Sequence, residues 1–87
     1  MFNFRYLFFT KWGVRAGLDR TLLDGSNRTT IVSNKIVYPI AITLDLANQE
    51  VYWTDAYMNS IERVNYNGEK RWRLKKKPVS SFSILYL

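Results

Sequence analysis

The sequence predicts an all-β chain built from a repeated unit of short strands, and three observations carry that reading. First, Tyr52-Trp53-Thr54-Asp55, reached through Gln49-Glu50-Val51, reads as a strand. Alternation puts Val51, Trp53 and Asp55 on one face and Tyr52 and Thr54 on the other, and two aromatics with a β-branched Thr suit a sheet packed on both sides. Second, the element recurs in weaker form at Phe8-Phe9-Thr10-Lys11, 44 residues earlier. Its partners recur too: Leu18-Asp19-Arg20 matches Ile61-Glu62-Arg63, and Leu23 to Arg28 matches Tyr66 to Arg71, each 43 residues apart. Third, no segment has a convincing helical period, while turn signals come at regular intervals. A repeat of this length made of short strands is the signature of a β-propeller or a related array.

Taken in order, Phe4 to Thr10 is a strand of Phe, Tyr and Leu, closed by a turn at Trp12-Gly13. Leu18 to Leu23 is the second strand, stopped by Asp24-Gly25, a hairpin-turn dipeptide. Arg28 to Val32 is β-branched and forms the third. Ile36 to Pro39 is extended, because a residue before proline is pushed out of the helical region. From Ile40 to Leu46 the residues alternate, with Ile40, Ile42, Leu44 and Leu46 on one face and Ala41, Thr43 and Asp45 on the other. Ala47 to Gln49 turns the chain into the Tyr52 strand. Asp55 falls where that strand should end, and its carboxylate can accept hydrogen bonds in the following turn. Ile61 to Tyr66 is the next strand, Asn67-Gly68 a second hairpin turn, and Trp72 to Leu74 a last strand that Lys75-Lys76-Lys77-Pro78 halts. The segment 75–87 is basic, then Ser-rich and apolar, and is expected to be disordered.

The 87 residues allow one small domain with a limited core. There is no cysteine for a disulfide framework or zinc site, and no histidine, the commonest general base and metal ligand. The net charge of +6 is unevenly placed, since residues 1–68 carry +1 and residues 69–87 carry +5, so a basic tail produces the high pI. No stretch is long enough to span a bilayer, and the aromatic start with Arg5 inside it is not expected to act as a secretory signal.

Tyr52-Trp53-Thr54-Asp55, the upstream Ile42-Thr43-Leu44-Asp45-Leu46 and the run Asp24-Gly25-Ser26-Asn27-Arg28-Thr29 together resemble the YWTD repeats, the class B repeats of low-density lipoprotein receptor proteins. The resemblance covers about residues 4 to 71. It implies four-stranded antiparallel blades of a six-bladed propeller, with the YWTD stretch on the second strand of a blade. Residues 4–32 would then be strands two to four of one blade and residues 36–74 the next. That is under two blades of a ring, so the expectation is of a fragment. The resemblance also implies an extracellular setting in an endocytic receptor. The partners there would be neighbouring blades, EGF-like modules and protein ligands, with no cofactor, no metal and no nucleic acid. The chain departs from the pattern at Lys11, where the repeat has Asp, and at Pro39-Ile40-Ala41, where the family usually places Gly after the proline. The tail from Arg73 resembles nothing in the family, as a spliced, read-through or truncated product would.

Each functional signal has a plainer reading beside it. Asn27-Arg28-Thr29 is an N-glycosylation sequon and also an ordinary surface turn. Tyr52, Trp53, Thr54 and Asp55, with the turns Asp24-Gly25 and Asn67-Gly68, read as structural motif residues before ligand contacts. Asp45 and Asp55 form a carboxylate pair on paper, but no third catalytic group accompanies them and turn capping explains both, so no enzyme is expected. Lys70 to Lys77, with Trp72 inside it, allows a different class of function, binding of nucleic acid or an anionic membrane by a small basic polypeptide. A third reading is a product with no function and exposed strand edges.

Overall fold

A computed structural model of the chain describes residues 5–76. Seven strands follow in order: β1 (Tyr6–Lys11), β2 (Gly17–Leu22), β3 (Thr29–Val32), β4 (Pro39–Asp45), β5 (Glu50–Asp55), β6 (Ser60–Asn65) and β7 (Trp72–Lys76). They form two antiparallel meanders, a three-stranded sheet β1-β2-β3 (sheet 1) and a four-stranded sheet β4-β5-β6-β7 (sheet 2). Each sheet is an open, blade-like unit, and no closed ring forms among the described residues.

The strands fall where the alternating residues place them, with three informative differences. A register shift between Pro39 and Ala41 takes Ile40 out of the β4 ladder, so the apolar face expected from Ile40 to Leu46 is carried by Ile42 and Leu44 alone. Leu46 lies in the turn after β4 and is 75% exposed, because the strand ends when Asp45 turns inward to cap that turn. The last strand runs to Lys76, two residues beyond expectation, since Ser60 and Ile61 on β6 continue to pair with its backbone. The basic and apolar tail lies outside the described residues from residue 77 onward, as does Phe4 at the other end.

The core sits between the sheets. Val51 and Trp53 on β5 are fully buried, flanked by Val64 on β6 and by Leu44 and Ile42 on β4. Leu18, Ile31, Val32 and Ile36 complete it from sheet 1 and the linker. Burying an indole of this size is worth on the order of 4–6 kcal/mol by area, so Trp53 is its largest single contribution. At the edge, the Tyr66 ring packs on Phe8 at 4.7 Å and edge-on to Tyr6 at 6.1 Å.

The two loops that follow β2 and β6 are built alike, and both are longer than two-residue hairpins. Leu22 accepts from the Gly25 N–H at 2.9 Å and donates to the Ser26 carbonyl at 3.0 Å. Asn65 accepts from Gly68 and donates to Glu69, both at 3.0 Å. Gly25 and Gly68 both take left-handed φ, 85° and 83°, a region that L side chains enter at a cost. Only Gly68 also lies against another sheet: a Cβ there would run into the Ile31 carbonyl, whereas one on Gly25 meets nothing within 4 Å. Gly25→Ala is therefore expected to cost about 1–2 kcal/mol from backbone strain alone, and Gly68→Ala distinctly more. Urea unfolding of both variants checks this. Equal losses would mean that the sheets do not pack at Gly68.

Candidate functional site

The Tyr52 strand ends on Asp55, which is fully buried and works as an acceptor hub. Its Oδ2 accepts the N–H of Val37 at 2.7 Å, and both oxygens accept that of Tyr38 at 3.1 Å. Its Oδ1 also accepts the N–H groups of Tyr57 at 3.0 Å and Met58 at 2.9 Å. One carboxylate thus clamps the linker before β4 to the turn after β5, and the Ala56 N–H adds a bond to the Tyr38 carbonyl at 3.0 Å. Four backbone amides balance the buried charge. Trp53 sits on the core face, while Tyr52 shares a row with Thr43, Arg63 and Trp72 on the opposite face. Thr54 is 2% exposed and its hydroxyl has no partner among the described residues.

A second arrangement occurs twice, and sequence reasoning did not isolate it. Glu62, 2% exposed, accepts the Ser60 hydroxyl at 2.8 Å and the Arg71 Nε at 2.9 Å. Arg71 then crosses to the linker, where its outer nitrogens donate to the carbonyls of Asn34 at 2.6 Å and Lys35 at 2.9 Å. Its guanidinium lies 5.2 Å from the Trp53 ring centroid. In sheet 1, Asp19 holds the Arg28 Nε at 2.7 Å, and Arg28 lies 4.7 Å from the Phe9 ring. The signal was an acidic residue followed nine positions later by arginine, present in both copies of the repeat. Lys11, which stands where the second repeat has Asp55, is absorbed by the same cluster: its Nζ is 2.9 Å from Asp19 Oδ1 and 3.3 Å from the Thr30 hydroxyl. Burial opposes ionisation of Asp19, but the hydrogen bonds from Lys11, Arg28 and Thr30 outweigh it and hold the carboxyl below its ordinary value of 3.8.

Across the sheets, Arg20 donates to the Tyr66 carbonyl at 2.7 Å and to Asn67 Oδ1 at 3.1 Å. Asp24 and Asn65 cap the two long loops, Asp24 by accepting from Ser26 and Asn65 from Asn67 and Glu69. Asn27 takes a left-handed, exposed conformation in the first of these loops, just before β3. Asp45 accepts from Asn48, and the register puts it beside Glu50, at the opposite end of β5 from Asp55. The two carboxylates are not brought together. Among the described residues no group of three or more His, Cys, Asp or Glu side chains could hold a metal, and no helix is long and apolar enough to cross a membrane.

No family model matches the chain. It is 38% identical over 65 residues to the vitellogenin receptor Yl of Drosophila melanogaster, a match that covers 75% of this chain and 3% of that protein. It is 39% identical over 61 residues to the sortilin-related receptor of Mus musculus, covering 69% of this chain and 3% of the relative. With low-density lipoprotein receptor-related protein 8 of Gallus gallus it shares 38% over 53 residues, 61% of this chain and 6% of the relative. The chain thus spans only a few per cent of the length of the curated relatives it matches. Among solved structures, a chain in the crystal structure of a nidogen/laminin complex superposes with a TM-score of 0.76 at 27% identity, covering 82% of this chain and 27% of that one. The partial matches point to the broad superfamily of low-density lipoprotein receptor relatives with YWTD repeats, and to no particular member.

Two outcomes follow from the buried carboxylates. Asp55→Ala, which strands four N–H groups, is expected to destabilise the chain by roughly 2–4 kcal/mol in chemical denaturation. The Asp19 contribution is complete above its unfolded value and is lost as pH falls below 3.8 through the lower folded value. The stability gap between the parent chain and Asp19→Asn should therefore be constant near neutral pH and shrink only below 3.8. A gap that shrinks near pH 6 would contradict the Lys11–Asp19–Arg28 cluster.

Proposed function

We propose that this chain is a non-enzymatic piece of an extracellular YWTD propeller from an endocytic receptor of the low-density lipoprotein type. The observation that carries the reading is the repetition itself: two stacked sheets with the same acid–arginine pair in each, Asp19–Arg28 and Glu62–Arg71. Residues 4–32 supply strands two to four of one blade, and residues 36–74, continued by Lys75 and Lys76 at the end of β7, supply the next. Tyr52, Trp53, Thr54 and Asp55, with Asp24-Gly25 and Asn67-Gly68, are scaffold residues in this reading. Arg5 to Thr10, Lys35 to Pro39 and Asp55 to Tyr57 resemble the amino-terminal propeller of low-density lipoprotein receptor-related protein 1 or 1B, and we assign the piece to a propeller of that kind. The remaining blades and EGF-like modules are its structural partners, and the assembled propeller serves the binding and internalisation of protein ligands. The exposed sequon at Asn27 suits an extracellular glycoprotein.

The test is a chimera of the Drosophila vitellogenin receptor Yl in which residues of this chain replace the matched 65. The chimera is expected to reach the cell surface and take up vitellogenin. A chimera retained inside the cell, beside a normally delivered parent, would reject the propeller reading.

A further inference from the structure

The turn after β1 and the linker after β3 face each other across a cleft of about 520 Å³, within the roughly 300–1,000 Å³ typical of ligand sites. Its walls carry two cations, Lys11 and Arg15, and the hydroxyls of Thr30 and Ser33, and among the described residues that line it none is acidic. Val14 and Val37 add exposed apolar surface. The two walls are tied together, because Trp12 from the turn packs on Tyr38 from the linker at 4.7 Å between ring centroids.

The second repeat shows what this turn lacks. There the strand ends on Asp55, whose carboxylate accepts the Tyr57 and Met58 amides of the following turn. The 44-residue shift that relates Asp55 to Lys11 relates Tyr57 and Met58 to Gly13 and Val14, and only beyond them does the extra residue of the first turn enter. With lysine in place of the carboxylate, the Gly13 and Val14 amides have no acceptor among the described residues, and the Arg15 guanidinium has no partner there either. Lys11 donates to Asp19 and Thr30, which leaves the third N–H of its ammonium. Asp19 is matched by Arg28 as well, so the group as a whole stays cationic.

We infer that this cleft binds an acidic side chain of a partner protein, whose carboxylate takes the place of the missing Asp between Lys11, Arg15 and the turn amides. Two observations select this occupant. At the equivalent position the fold itself uses a carboxylate to accept backbone amides, and a carboxylate from outside can make the same charge-assisted bonds. Val14 and Val37, beside the cations, suit an aliphatic neighbour in a peptide, which a free anion lacks. The cleft goes beyond the receptor reading and does not rest on it, because binding is read on the full 87-residue chain whatever becomes of the chimera.

The test is an NMR titration of the isotope-labelled full chain with a terminally blocked Gly-Val-Glu-Val-Gly peptide at about 0.15 M salt, followed by amide chemical shifts. The Gly13, Val14 and Arg15 amides are expected to move and to saturate. The same peptide with Gln in place of Glu should bind about tenfold more weakly or worse. Arg15→Glu, a change on an exposed side chain, should weaken binding of the Glu peptide by a similar factor. No movement of the three amides, shifts confined to Lys70 to Lys77, equal binding of the Gln peptide, or undiminished binding by Arg15→Glu would overturn the inference. So would inorganic phosphate at matched concentration moving the three amides further than the peptide does.

Discussion

A carboxylate buried to 2% exposure must be matched by donors, and in this chain that requirement joins the sheets. Glu62 takes the Nε of Arg71, which fixes the guanidinium plane and leaves its outer nitrogens aimed at the Asn34 and Lys35 carbonyls. The linker is then held from both sides, by Arg71 at one end and by Asp55 at Val37 and Tyr38. Trp53 lies beneath the guanidinium, so its burial and the ion pair reinforce one another. Remove the charge match and the indole loses its lid.

The period-2 alternation, the turn residues and the 43-residue shift were enough to place all seven strands. Their limits came out within about two residues, because each strand is bounded by a turn with its own chemistry. Ile40 and Leu46 were misplaced for different reasons. A bulge is a feature of pairing between strands, invisible along one of them, and Leu46 was assigned to a face by alternation when its strand had already ended. The long loops after β2 and β6 looked like two-residue hairpins because Asp-Gly and Asn-Gly favour those. The competing bonds from Asp24 and Asn65 to residues further along drew the loops out.

The Asp55 turn was legible because a terminal carboxylate and its amides are local in sequence. The Glu62–Arg71 crossing was not: its receiving carbonyls lie 36 and 37 residues away, and nothing in the linker's residue types marks them. Repetition was the one available signal. An acid and an arginine at the same spacing in two units of otherwise low identity imply a shared structural task, and Lys11 shows how the task adapts. A cation in place of the capping carboxylate would be costly at the end of β1 were Asp19 not already there to receive it.

Repetition also constrains what the unit can be. A unit whose two faces are complementary to each other, and not each to itself, has no natural stopping point within one chain. The internal interface satisfies one face of each sheet and leaves the other two carrying the same kinds of groups: a guanidinium fork, a glycine in left-handed geometry, half-exposed apolar side chains. A self-contained two-sheet domain would have made those outer faces polar and small, since nothing there would need to be met. The composition of the uncovered faces therefore argues that they were selected for contact.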